Sequence, residues 1–269
     1  MRTSIKDAKR IVVKVGTSTL THENGKINFA RLDKLSEVLS DLANEGKEII
    51  LVSSGAIGIG AAKMKWTHRP VTVVERQAAA AVGQSELMHL YSKFFGEYGH
   101  VVAQILLTSD VFEKPVLRKN VQNSFAKLLS QGIVPIVNEN DPVATDEIEG
   151  EKSIGDNDTL SALVAKNVHA DLLILLSDID GFYTDNPKVN PDAVLIDHVS
   201  DLTEDLLNNA KGSISSLGTG GMSTKLKAAQ IVMAEGINMI IAHGENPNIL
   251  YSITKGELIG TWFKGKKNE

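Results

Sequence analysis

Five short runs of nearly unbroken apolar residues constrain this chain more than anything else in it. They are "RIVVKV" (Arg10–Val15), "EIILV" from Glu48, "HVVAQILLT" (100–108), "DLLILL" from Asp171 and "INMIIAHG" (237–244). A strand with one face in water alternates apolar and polar residues. A strand that is apolar at nearly every position needs cover on both faces. The cover is present between the runs. In Asn28–Asn44, Phe29, Leu32, Leu35, Val38, Leu39 and Leu42 fall on one face of a helix, and Gly46 follows as a C-terminal stop. Helices are also predicted over Val71–Phe95, with Gly83 as the point of a break, and over Asn120–Ser130, Asp156–Asn167, Asp201–Ala210 and Pro247–Ile253. The stretch 48–60 reads as a strand and a glycine-rich turn, 132–141 as a strand, 171–187 as a strand and turns, and 218–236 as a glycine loop and a helix. Strands alternating with helices predict an α/β fold, a three-layer αβα sandwich around a mostly parallel sheet. Without repeats or a linker, residues 1–269 read as a single domain.

Charge and residue usage narrow the function. A formal net charge of −5 and a pI near 5.8 argue against a protein that coats nucleic acid, which needs a basic face. The absence of cysteine excludes disulfides and thiolate chemistry, and fits a cytoplasmic protein. The seven histidines have no metal-ligand spacing, so no dedicated metal site is expected. No segment reads as a membrane span or signal peptide.

Ligands of a parallel sheet bind at the carboxyl ends of its strands. There the chain places Gly16, Thr17 and Ser18, with Lys14 just inside its strand. Ser53, Ser54 and Gly55 follow the run from Glu48, Asn138 to Asp141 the strand within 132–141, and Ser177, Asp178 and Asp180 the run from Asp171. Glycines, hydroxyls and amides at helix starts suit phosphate or carboxylate. The Walker pattern GxxxxGK[ST] is absent, and "GAIGIG" reverses the order of a dinucleotide fingerprint. "GTGGMSTK" is sharper. It sets Ser223, Thr224 and Lys225 in the first turn of a helix, where the dipole disfavours a cation unless an anion lies nearby. In "GDNDTLSALVA", one of Asp156, Asn157 and Asp158 suffices as an N-cap, which leaves two without a structural purpose.

"VVKVGTSTL", "ILVSSGAIGIG", "IVPIVNENDPVA", "GDNDTLSALVA", "SDIDGFYTDNP" and "GTGGMSTKLKAA" occur in that order. With these motifs the chain resembles the amino acid kinase family along nearly its whole length. Within the family it resembles the member that phosphorylates the side-chain carboxylate of L-glutamate, the first step of proline biosynthesis. The resemblance implies Lys14, Asp158 and Lys225 as catalytic residues, with Asp158 organising the lysines. It implies Ser54, Asp141 and Asn157 as glutamate-binding residues, with Asn138 beside them and Asp156 either binding substrate or capping its helix. Around ATP it implies Lys14, Gly16, Gly55, Ser177, Asp178 and Thr219, Gly220, Gly221, Met222, Ser223, Thr224 and Lys225, with Mg²⁺ carried by the nucleotide and "DGFYTDNP" as a hairpin beside adenine. The N-terminal part would mainly bind glutamate and the C-terminal part ATP. The chain resembles the shorter form that lacks a C-terminal PUA domain. Proline as feedback inhibitor, a gating role for 143–154, and a homo-oligomer, dimer or tetramer, are implied likewise. The alternatives are a kinase of aspartate, N-acetylglutamate or a nucleotide, a sensor without turnover, and a dinucleotide-dependent oxidoreductase.

Overall fold

The computed structural model describes residues 2–22, 25–144, 154–187, 189–203, 206 and 221–266. The elements in chain order are α1 (Thr3–Lys6), β1 (Arg10–Val15), α2 (Thr17–Leu20), α3 (Phe29–Asn44), β2 (Glu48–Ser53), α4 (Ala56–Lys63), α5 (Val73–Glu97), β3 (Val102–Leu107), α6 (Asp110–Glu113), α7 (Pro115–Ser130), β4 (Val134–Glu139), α8 (Asn157–Asn167), β5 (Leu172–Ser177), β6 (Phe182–Tyr183), β7 (Leu195–Ile196), β8 (His198–Val199), α9 (Met222–Ala234), β9 (Asn238–His243), α10 (Ile249–Thr254) and β10 (Thr261–Phe263).

Eight strands form one sheet in the order β3-β4-β2-β1-β5-β9-β10-β8. The six from β3 to β9 pair in parallel, and β10 runs antiparallel to β9. The sheet is thus mostly parallel, as its doubly covered strands require.

Successive strand residues point to opposite faces. Ile11, Val13 and Val15 of β1 join one apolar core with α3 and α5, while Val12 joins the other with α8 and α9. β5 and β9 divide their residues in the same way. Lys14 therefore shares the face of Val12 and is directed toward α8 and α9. The chain leaves β1 toward β2 on one side and β5 toward β9 on the other, so the switch point of the sheet lies between β1 and β5.

Several boundaries depart from expectation. The long helix does not break at Gly83: α5 is continuous through it. A Cβ on Gly83 would lie 1.7 Å from the Ala56 carbonyl oxygen, and one on Gly60 only 1.8 Å from that of Ala79. These two glycines let α4 and α5 touch backbone to backbone. Of "GAIGIG", only Gly55 is a turn residue, at φ 103°, and Ala56 onward is helical. α7 starts at Pro115, five residues before the predicted helix, because proline is well placed in the first turn. The hairpin expected in "DGFYTDNP" begins there but turns later, since β6 pairs with β7 across residues 184–194. Gly181 serves instead to admit Thr261, whose Oγ1 accepts from Phe182 N at 2.7 Å. The predicted helix Asp201–Ala210 falls largely outside the described residues.

Candidate active site

Three charged side chains meet beneath the switch point. Lys14 Nζ lies 2.7 Å from Asp158 Oδ1, and Lys225 Nζ 3.1 Å from Asp158 Oδ2. Each comes from a different element: Lys14 from β1, Asp158 from the first turn of α8, and Lys225 from the first turn of α9. Their relative exposures are 8%, 1% and 5%, so the trio is nearly dry. Burying an ammonium alone is strongly unfavourable, and a carboxylate between two of them offsets that. Thr224 Oγ1 lies 2.8 Å from both Asp158 Oδ2 and the Gly221 carbonyl oxygen, and so joins the cluster to the start of α9. Burial alone would raise the Asp158 carboxyl. The two ammonium groups and the hydrogen bonds outweigh burial and hold it at about 2, well below its ordinary value. Asp158 is therefore an anion at neutral pH and no proton acceptor. The cluster keeps one positive charge in excess and sits at the N-terminal ends of two helices, both of which favour an anionic ligand.

A second, uncharged cluster adjoins it. Asn157 precedes Asp158, and its Nδ2 lies 2.8 Å from Ser54 Oγ, 3.0 Å from Asn138 Oδ1 and 3.2 Å from the Ser53 carbonyl oxygen. Asn138 Nδ2 donates in turn to Gln84 Oε1 at 3.0 Å. Behind them Ser53 Oγ and Tyr91 Oη are 2.8 Å apart. Asp156 caps α8: its Oδ1 accepts from Thr159 N at 2.8 Å and its Oδ2 from Thr159 Oγ1 at 2.8 Å. The three consecutive residues thus divide their work among cap, amide cluster and ion cluster.

The remaining predicted positions lie along the same edge. Gly16 adjoins Lys14, since a Cβ built on it would lie 3.7 Å from the ammonium. Gly55 starts α4, and Asp141 lies half-buried in the turn after β4. Ser177 ends β5 and donates from Oγ to Oδ1 of the exposed Asp178 at 3.1 Å. Gly221 and Met222 are half-buried at the start of α9, with Ser223 exposed. Thr219 and Gly220 lie outside the described residues. The structure thus joins Lys14, Asp158, Lys225 and Thr224 directly, and Asn157, Ser54 and Asn138 directly. Ser177 and Asp178 contact neither group in the described hydrogen bonds. A cavity of about 380 Å³ opens at the opposite edge, lined by Asp7, Lys166, His169, Asp171 and Glu235 among others, and none of the predicted site residues lines it.

Sequence reasoning missed Gln84 and Tyr91. Both lie on the buried face of α5, and Gln84 stands among Ala79, Ala80, Gly83 and Leu87. A polar residue in phase with the apolar stripe was the available signal.

The comparisons with known proteins agree with this geometry. The model of the "Amino acid kinase family" matches residues 9–243. A glutamate 5-kinase of Clostridium perfringens is 56% identical over the whole of both chains. One of Listeria monocytogenes is 57% identical, covering 100% of this chain and 98% of its own. One of Enterococcus faecalis is 54% identical, covering 98% and 97%. Among solved structures, a UMP kinase from Bacillus anthracis superposes with a TM-score of 0.66 at 16% identity, covering 96% of this chain and 97% of its own. An isopentenyl phosphate kinase gives 0.65 at 18%, covering 94% and 99%. At such identities these two speak for the fold alone. A doubly covered parallel sheet, the lysine–aspartate–lysine cluster at its switch point and relatives above half identity along their length lead to one conclusion: the chain belongs to the amino acid kinase family.

Proposed function

We propose that this chain transfers the terminal phosphoryl group of ATP to the γ-carboxylate of L-glutamate, giving L-glutamyl 5-phosphate and ADP as the first step of proline biosynthesis. The observation that carries the mechanism is the Asp158 carboxylate held between the ammonium groups of Lys14 and Lys225. The γ-carboxyl of glutamate has an ordinary pKa of about 4.3, so near neutrality it is already a nucleophile and needs no base. The obstacle is repulsion between reactants. Two unit charges about 4 Å apart repel by ~4 kcal/mol at an effective dielectric of 20. Placed ammonium groups and backbone N–H donors counter that repulsion where charge develops.

In this reading Lys14 contacts the transferring phosphoryl group, and Lys225 stabilises the phosphate side and the leaving group. Asp158 fixes both amines at a set separation. A carboxylate oxygen of glutamate forms the new bond to the γ-phosphorus while the bond from that phosphorus to the β–γ bridging oxygen breaks. ADP keeps the electron pair and no proton moves. Mg²⁺ enters as part of the MgATP substrate. Both Asp158 oxygens are engaged by the chain's own cations, and among the described residues no three carboxylates or imidazoles converge as a metal site.

Ser54, Asn138, Asp141 and Asn157 bind glutamate in this account. Gly16, Gly55, Ser177, Asp178 and the segment from Thr219 to Lys225 surround ATP. The N-terminal part therefore serves glutamate and the C-terminal part the nucleotide, within one domain. Family resemblance supports three further features: proline inhibition at or overlapping the glutamate site, a homo-oligomer (dimer or tetramer), and a cytoplasmic location. Among the described residues no helix is long and apolar enough to cross a membrane. Most of the segment 143–154, suggested as a gate, lies outside the described residues.

The test is direct. Purified protein with MgATP, glutamate and hydroxylamine should accumulate the hydroxamate of the acyl phosphate, and aspartate or N-acetylglutamate should give little. Faster turnover of either alternative would overturn the substrate assignment.

A further inference from the structure

We infer that Gln84, remote from the reacting atoms, is a positioning residue: it anchors Asn138 with its oxygen toward Asn157, and so helps hold Asn157 with an acceptor toward the substrate ammonium. The inference rests on the reading of Asn157, Asn138 and Ser54 as glutamate-binding residues.

The orientation of the amides begins at a backbone carbonyl. The Ser53 oxygen only accepts, so the Asn157 amide 3.2 Å away must turn its Nδ2 toward it. Asn138 faces that donor at 3.0 Å and must therefore present Oδ1. Its own Nδ2 is left pointing at Gln84, which must present Oε1, again at 3.0 Å. The Ser53 carbonyl thus fixes Asn157 at one end of the series, and the Gln84 oxygen holds Asn138 in the matching orientation at the other. Asn138 and Gln84 are 3% and 6% exposed, so water cannot readily substitute for either.

Two facts mark Gln84 as more than filler. Its Nε2 is buried without a hydrogen-bond partner, a destabilising arrangement that an apolar residue on this helix would avoid. The preceding residue is Gly83, whose backbone contact with Ala56 holds this stretch of α5 at a fixed distance from α4. The helix is clamped where Gln84 enters the site.

The consequence is chemical. The two N–H donors of Asn157 are shared among the three acceptors on Ser53, Ser54 and Asn138, and its Oδ1 is the atom left for a ligand. That atom accepts. Of the three charged groups of glutamate only the ammonium donates, so Asn157 meets the ammonium and not a carboxylate. Ser54 Oγ, accepting from Asn157, keeps its own hydrogen for a carboxylate.

The test compares Gln84→Met, which removes the acceptor, with Gln84→Glu, which retains an acceptor oxygen, by initial-rate kinetics. Glutarate, which lacks the ammonium, is measured as a competitor. Gln84→Met should raise the glutamate KM about tenfold, the scale of one lost buried hydrogen bond, with kcat within about threefold and the ATP KM within about twofold. The glutarate inhibition constant should stay within about twofold, and Gln84→Glu should keep the parent glutamate KM within about threefold. An unchanged glutamate KM in Gln84→Met overturns the proposal. So does a parallel rise for glutarate, or equal impairment of both variants with the ATP KM rising alongside. Asn157→Ala separates the two levels. If it too leaves the glutamate KM unchanged, the binding assignment itself fails; if it raises KM while Gln84→Met does not, only the relay fails.

Discussion

Asn157 and Asp158 are neighbours in the first turn of one helix, yet they belong to two clusters with opposite physics. Around Asp158 the groups are charged except for the Thr224 hydroxyl, and the cluster is stable because a carboxylate separates two ammoniums in a dry setting. Around Asn157 no group is charged, and the cluster is stable because donors and acceptors alternate from Ser54 through Asn138 to Gln84. The charged half creates a field, which in the proposed function acts on the charge that develops during reaction. The amide half has direction but no net field, and in the proposed function it recognises a shape that exists before reaction. The difference teaches that losses in the first should fall on turnover, and losses in the second on binding.

The largest effect should come from the charged half. Lys225→Ala and Lys14→Ala should each lower kcat by about 10²- to 10³-fold, the range for removing one preorganised electrostatic group, with the glutamate KM little changed. Steady-state kinetics checks this, and a rise in KM with kcat preserved would merge the two halves. Asn157→Ala should do the reverse, raising the glutamate KM about tenfold and leaving kcat within about threefold.

Gly83→Ala probes the amide half from behind. Its Cβ would meet the Ala56 carbonyl at 1.7 Å, so α5 must shift and carry Gln84 with it. Overpacking of this kind costs about 1–3 kcal/mol, visible as a lower denaturation midpoint. The glutamate KM should rise more than kcat falls.

The smallest effect is one of pH. The folded Asp158 carboxyl is held at about 2 against an ordinary 3.8, so its charge adds stability that is complete above about pH 4 and lost as pH falls through 2. The urea midpoint difference between the parent and Asp158→Asn should be constant above pH 4 and shrink below it. The difference for Asn157→Ala, which alters no titrating group, should stay flat over the same range.

The charged half was legible in the sequence and much of the amide half was not. Lys14 inside "IVVKVG", and a lysine in the first turn after "GTGGMST", are cations in places that require an anion, and Asp158 is that anion. The doubly covered strands announced the sheet, and the sheet edge announced the site. Gln84 carries no such signature, because its inward direction depends on how closely α4 and α5 approach. The two glycines that allow this approach resembled a helix break and part of a glycine-rich turn when taken singly. Asp156 was ambiguous because three candidate caps stand side by side: only the bonds to Thr159 identify it as the cap.

The division of labour is tested most directly by turnover at saturating glutamate in Asp158→Ala and Asn157→Ala, measured side by side. Excess glutamate should return Asn157→Ala to near the parent rate and leave Asp158→Ala inactive, because a binding deficit yields to concentration and a missing electrostatic organiser does not. Recovery of both variants, or of neither, would contradict the account.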